Sequence, residues 1–171
     1  MKILTIESKK NEKYLRTPVS PLDFAQENPE ELRVLIREMR GAMREARGVG
    51  LSANQVGVSK RLFIAQVPDG EGRQKFYAVL NPEIIKASKE KVSATEGCLS
   101  IPNWFGDVLR HSSLTLTGIS SAGKKLKIKA WGLLARVFQH ELDHLDGVLF
   151  IDKALNLHRV DAEEESREAR I

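Results

Sequence analysis

Apolar positions recur at helical spacing in two stretches of the chain and alternate with polar ones in several others. After Asn28-Pro29-Glu30-Glu31, the residues Leu32, Leu35, Ile36, Met39 and Met43 fall on one helical face, with Arg and Glu on the other. Asn28 is a good N-cap, Pro29 suits the first helical position, and two acids favour the first turn, so a helix is predicted from there to about Arg47. Gly48 and Gly50 stop it. Residues 61–68 read as a strand, 69–72 as a turn, and 75–80 and 83–86 as extended segments on either side of Asn81-Pro82. Residues 91–95 lead into Cys98, with a further strand carrying Arg110. Leu114, Leu116, Leu126 and Ile128 alternate with polar residues around Ser121-Ala122-Gly123, which predicts an antiparallel hairpin. A second long helix is predicted over 132–145, ended by Asp146-Gly147. Residues 8–27 read as irregular, punctuated by Pro18 and Pro21. The tail, 153–171, is polar and acid-rich, either helical or frayed. The order predicts an α+β fold, antiparallel sheets packed around a central helix, in one domain over 1–171.

Composition changes this picture little. A net charge of +4 is mild, and the lysines of 86–91 and 124–129 alternate with apolar residues as a solvated sheet face does. Weak attraction to a polyanion such as ribosomal RNA is the functional alternative, but no nucleic-acid motif accompanies the charge. The N-terminus is charged too early for a signal peptide, and no stretch approaches a membrane span. A cytoplasmic protein, with neither a membrane nor a sequence-specific nucleic acid as partner, is expected.

Chemistry concentrates in His140-Glu141-Leu142-Asp143-His144. On a helix, positions i and i+4 share a face, so two imidazoles so placed can hold one metal ion while the adjacent Glu141 acts on a metal-bound water. Two surface histidines on an amphipathic helix are the plainer alternative. Leu133, Leu134, Val137 and Phe138 before the motif argue for a buried helix, where histidines with nothing to bind are costly. The lone cysteine, Cys98, cannot form an internal disulfide and supplies a third ligand of suitable type. A Cys-His-His set leaves one coordination position open, as catalytic sites do. Leu133 and Val137 fall on the same helical face as His140 and His144, and with Val49 they either line a substrate pocket or pack as core. Glu96 and Arg110 either pair to hold the Cys98 loop or form an exposed pair. His111 and His158 lie outside the motif and are read as non-ligands. In the glycine-rich run 48–57, Gln55 offers an amide donor for an oxyanion, while a helix stop and turn explains the same residues.

Three segments together, 48–57 (GVGLSANQVG), 96–100 (EGCLS) and 140–144 (HELDH), resemble the three motifs of the peptide deformylases, in that family's order. Leu15-Arg16-Thr17-Pro18-Val19 and Gln139 fit the same pattern, and the resemblance runs from about residue 12 to about residue 152. It implies removal of the formyl group from formylmethionine at the start of nascent polypeptides, releasing formate. It further implies Cys98, His140 and His144 as metal ligands, Glu141 as general base and acid, Gln55 with the Leu99 N–H as the oxyanion site, and Gly50 as a backbone contact to substrate. The metal implied is ferrous iron, replaceable by zinc, nickel or cobalt. N-formylmethionyl nascent chains are the implied partners, with transient ribosome association and a monomeric enzyme expected. Asn103-Trp104-Phe105 is bulkier than some relatives carry, and the acidic tail offers no basic helix for ribosome docking. Two other classes use some of these residues: a zinc metalloprotease drawing a third ligand from Glu163–Glu165, and a non-catalytic metal- or ribosome-binding module.

Overall fold

A computed structural model describes residues 1–161. Three α-helices, α1 (Lys9–Leu15), α2 (Pro29–Glu45) and α3 (Gly132–Leu145), accompany eight strands. These are β1 (Gly50–Ser52), β2 (Leu62–Pro68), β3 (Gln74–Ala87), β4 (Lys91–Cys98), β5 (Ile101–His111), β6 (Ser113–Ile119), β7 (Lys125–Trp131) and β8 (Leu155–Arg159). A five-stranded sheet has the order β1-β2-β3-β6-β7 and a three-stranded sheet the order β4-β5-β8; every pairing is antiparallel. The architecture is α+β.

The larger sheet is covered on both faces, which explains the unbroken apolar run of β2. Phe63, Ala65 and Val67 join a core with Ala135, Val137, Phe138 and Leu145 of α3. Leu62 and Ile64, on the other face, join Leu32, Met39 and Met43 of α2. Asn28 caps α2 as the sequence suggests, its Oδ1 accepting from the Glu30 N–H at 2.9 Å. A smaller core of Leu15, Cys98, Ile101, Val108, Leu149 and Phe150 underlies the three-stranded sheet.

The two extended segments expected around Asn81-Pro82 are one strand, β3, with a register shift between Leu80 and Glu83. A bulge is where a strand tolerates proline. Asn81, at φ 47, uses its side chain to bind both the N–H and the carbonyl of Leu22, anchoring the N-terminal segment. That segment is not wholly irregular: α1 buries only Leu15, so it leaves no amphipathic period to read. The tail is neither helical nor frayed where it is described, because residues 155–159 form edge strand β8 against β5. The expectation for 162–171 lies outside the described residues.

The ends of α3 are treated unequally. At its start the N-cap Trp131 provides no side-chain acceptor, and Trp131 and Leu133 are exposed. At its finish the orphan carbonyls are all engaged. Asn54 Nδ2 donates to the His144 carbonyl at 2.6 Å, and the Val19 N–H to that of Leu145 at 2.8 Å. Arg61 donates to Leu145 as well and pairs with Asp146 at 2.8 Å. Gly147 turns the chain at φ +75, and a Cβ there would run into the Arg16 carbonyl.

Phe138 is fully buried between Phe63 and Tyr77, at ring-centroid distances of 5.3 and 5.4 Å. Phe138→Ala is predicted to lower the unfolding free energy by about 3–5 kcal/mol in urea titration. A loss under about 1 kcal/mol would mean that α3 is not packed on this sheet face as described.

Candidate metal centre and active site

One helical turn separates His140 from His144, and their rings lie 5.0 Å apart, centroid to centroid. Cys98 ends β4 at a register shift and brings Sγ to 3.1 Å from His144 Nε2. One donor atom from each of Cys98, His140 and His144 lies within 4.8 Å of the others, and all three residues are buried. The donor chemistry fits a divalent transition metal. One thiolate and two imidazoles suit iron, zinc, nickel or cobalt and not a hard cation such as magnesium or calcium. His140 Nε2, His144 Nδ1 and both carboxylate oxygens of Glu141 are buried without a hydrogen-bond partner, a costly arrangement for groups with nothing to bind. His111 and His158 are elsewhere: the first binds the Ser88 carbonyl at 2.6 Å and the second stacks on Phe105.

Charge is distributed to suit a cation. Burial pushes the Cys98 thiol well above its usual value, and the nearby carboxylates of Glu141 and Glu96 act in the same direction. A metal ion reverses that balance by binding the thiolate. Burial likewise holds His144 neutral, well below the ordinary histidine range, assisted by His140 and the charge of Arg110. Neutral imidazole is the ligating form. Glu141 is pushed well above the usual carboxylate range by burial, which the charge of Arg110 opposes without reversing.

Glu96 has the opposite environment. Its carboxylate accepts from Arg110 Nε and Nη2 at 2.9 Å each, from Arg136 Nη1 at 2.7 Å, and from His140 Nδ1 at 2.9 Å. Burial alone would raise its pKa, but the hydrogen bonds and charges of Arg110 and His140 hold it well below the usual carboxylate range. The contact fixes the tautomer of His140 so that Nε2 faces Cys98 and His144. Glu96 and Arg110 are therefore a buried pair. Arg110 also pairs with Asp143, which Lys153 reaches from the surface. Arg136 was not singled out in the sequence, although a cation four residues before His140, on the same helical face, was the available signal.

The glycine-rich run forms β1 and a 3₁₀ turn, Ala53–Val56. Gln55 is fully buried. Its Oε1 accepts from the Ser52 N–H at 2.8 Å and the Ser52 hydroxyl at 2.9 Å. That orients Nε2 toward Ser100 Oγ at 3.2 Å and Cys98 Sγ at 3.7 Å. Gly50 lies against the helix: a Cβ there would overlap Glu141 Oε1 and come within 2.9 Å of Val137 Cγ1. A Cβ on Gly48 would meet the Leu99 side chain at 2.6 Å. Val137 is fully buried against β1 and the core of the larger sheet, Val49 is half-buried against the same core, and Leu133 is exposed. The site thus lies where the edge strand of each sheet, β1 and β4, meets α3.

The model of the polypeptide deformylase family matches residues 2–160. A peptide deformylase from Symbiobacterium thermophilum is 49% identical over 115 residues, 67% of this chain and 52% of that protein. One from Thermomicrobium roseum is 41% identical over 149 residues, 82% of this chain and 84% of that protein. The chain thus spans about half the length of the first relative and most of the second. Among solved structures, a class I type b peptide deformylase from Acinetobacter baumannii with Met-Ala-Ser bound has a TM-score of 0.80 at 30% identity, covering 90% of this chain and 97% of that one. With the family model matching residues 2–160 and the fold shared with a solved member over 90% of its length, this chain belongs to the polypeptide deformylase family.

Proposed function

We propose that this protein is a metal-dependent hydrolase that cleaves the formyl C–N bond at the N-terminus of formylmethionyl peptides, yielding formate and a free amine. One observation carries the reading: a buried carboxylate without a partner, Glu141, lies against the Gly50 backbone and beside Cys98, His140 and His144. We take the chain as one catalytic domain, with those three residues as ligands and ferrous iron as the physiological metal. Zinc, nickel and cobalt suit the same donors.

A divalent cation bound there supplies Lewis acidity and lowers the pKa of water from about 15.7 toward about 7. Glu141 takes the proton of the attacking water and returns it to the departing nitrogen, a shuttle suited to a carboxyl whose pKa burial has raised. Negative charge developing on the formyl oxygen meets Gln55 Nε2 and the Leu99 N–H, each such donor being worth about 2.7–4 kcal/mol. The edge strands β1 and β4 offer backbone groups to an extended peptide, with Gly50 allowing close approach. Val49, Val137 and Leu133 then border the methionine side chain. The relative with Met-Ala-Ser bound supports a peptide of this kind. Newly begun chains at the ribosome are the natural source of such substrates. A metalloprotease reading is weaker, since Cys98 already completes the ligand set among the described residues and Glu163–Glu165 lie outside them.

Anaerobically prepared, iron-loaded protein is predicted to release formate from formyl-Met-Ala-Ser, with almost none from Cys98→Ser. No formate from a folded, metal-loaded wild type would overturn the reading. Glu141→Ala is expected to retain metal but lose at least about 10²-fold in turnover; undiminished activity would remove Glu141 from the chemistry. Gly50→Ala, whose methyl must displace the Glu141 carboxylate, is expected to lower kcat/KM by about tenfold or more while metal content stays constant. Wild-type kinetics in that variant would show that Glu141 need not sit where it does.

A further inference from the structure

The three candidate ligands come from two separately packed parts of the fold. His140 and His144 lie on α3, whose buried apolar residues Ala135, Val137, Phe138 and Leu145 belong to the core of the larger sheet. Cys98 ends β4 and packs with Ile101, Val108, Leu149 and Phe150 in the core of the smaller sheet, to which α3 contributes no residue. The spacing of Cys98 Sγ from the two imidazoles is therefore not set by one shared apolar core. It depends on what fastens β4 and β5 to α3.

Hydrogen bonds and ion pairs cross that join. Gln139 exchanges two hydrogen bonds with the backbone of His111, and Asp143 pairs with Arg110. Arg136 makes the most extensive crossing. Its side chain is 10% exposed, and Nη1 donates to Glu96 Oε1 at 2.7 Å, to the Val108 carbonyl at 2.9 Å and to the Ala94 carbonyl at 3.4 Å. Nη2 donates to the Val92 carbonyl at 2.7 Å. Val92, Ala94 and Glu96 are alternate residues of β4, and Val108 is opposite Ala94 on β5, so one guanidinium grips both strands. Cys98 follows Glu96 by two residues on the gripped strand, and His140 follows Arg136 by one turn on the helix. Glu96 in turn accepts from His140 Nδ1 at 2.9 Å through its other oxygen. Its remaining cation, Arg110, lies on β5 within the smaller sheet. Arg136 is thus the cation that ties Glu96 to α3.

We propose that Arg136 is a positioning residue for the metal centre. Among the described residues it has no hydrogen bond to Cys98, His140 or His144, yet by holding β4 against α3 it sets the distance of the thiolate from the imidazoles, and by holding Glu96 it steadies the His140 ring. A fork of donors in fixed geometry does this where a flexible point charge does not. The inference rests on the metal-centre reading and is independent of which substrate is cleaved. A brace that served only the smaller sheet would lower stability and leave metal affinity alone.

The test measures cobalt(II) affinity by competition with a chelator, following the cobalt–thiolate absorption band, in the wild type, Arg136→Met and Leu32→Ala. Leu32 is buried at the start of α2, in the core on the other face of the larger sheet, so its truncation destabilises the fold without touching the join. Arg136→Met is expected to bind cobalt about tenfold or more weakly, as the loss of an outer partner of a metal ligand does, while Leu32→Ala stays within about twofold of wild type. Wild-type affinity in Arg136→Met, or an equal loss in Leu32→Ala, would overturn the proposal. Should Arg136→Met not fold, Arg136→Lys is read in its place. Its single ammonium is expected to leave affinity severalfold lower, and wild-type affinity there would overturn the proposal too. Failure of the metal-centre reading shows separately, as no cobalt–thiolate band in the wild type.

Discussion

Four donors on one buried carboxylate hold this protein's working parts together. Glu96 comes from β4, Arg110 from β5, and Arg136 and His140 from α3, so a single charge joins the three-stranded sheet to the ligand-bearing helix. Arg136 extends the join by donating to the carbonyls of Val92 and Val108. A buried charge survives only when its partners saturate it, and removing one partner typically costs about 3–5 kcal/mol. The larger sheet has apolar cores on both faces, whereas the smaller one rests on a cluster of six buried residues. Where apolar area is short, ionic contacts supply the attachment and, through Nδ1, orient the His140 ring.

The two glutamates near the candidate metal centre illustrate how environment separates identical side chains. Glu96 is saturated with donors and anionic, fixed in one geometry. Glu141, next to His140 in the chain, has no hydrogen-bond partner and an elevated pKa. One is fixed by its donors; the other is left without any. Backbone geometry maintains the difference, since Gly50 leaves no room beside Glu141 for anything larger than hydrogen.

Much of this was legible in the residues. The spacing of Leu32, Ile36, Met39 and Met43 and the Asn28 cap announced α2, and the alternation in β6 and β7 announced their hairpin, because each pattern is set by one buried face. His140 and His144 announced a site because i and i+4 spacing has few other uses on a buried helix. The elements that escaped notice are those held by tertiary contacts and not by local pattern. Helix α1 buries one residue, and β8 is exposed along its length and exists because β5 offers an edge. The role of Asn81 in joining two extended segments into one strand depends on Leu22, nearly sixty positions away. Arg136 shares a helical face with His140, but its four partners come from β4 and β5, so the sequence places the residue and not what it binds.

The unequal ends of α3 have a mechanical meaning. Its last carbonyls are tied to Asn54, Val19 and Arg61, and Asn54 adjoins Gln55 in the same 3₁₀ turn. His144 and the Gln55 amide therefore belong to one stiff unit, anchored from outside the helix. The opposite end begins without a side-chain cap, beside the exposed Trp131 and Leu133. Helices lose structure from their least supported end. Backbone amides near Gly132 should accordingly exchange with solvent long before those around His144. Support is concentrated at the end that carries His144, and compliance at the end that begins among exposed residues.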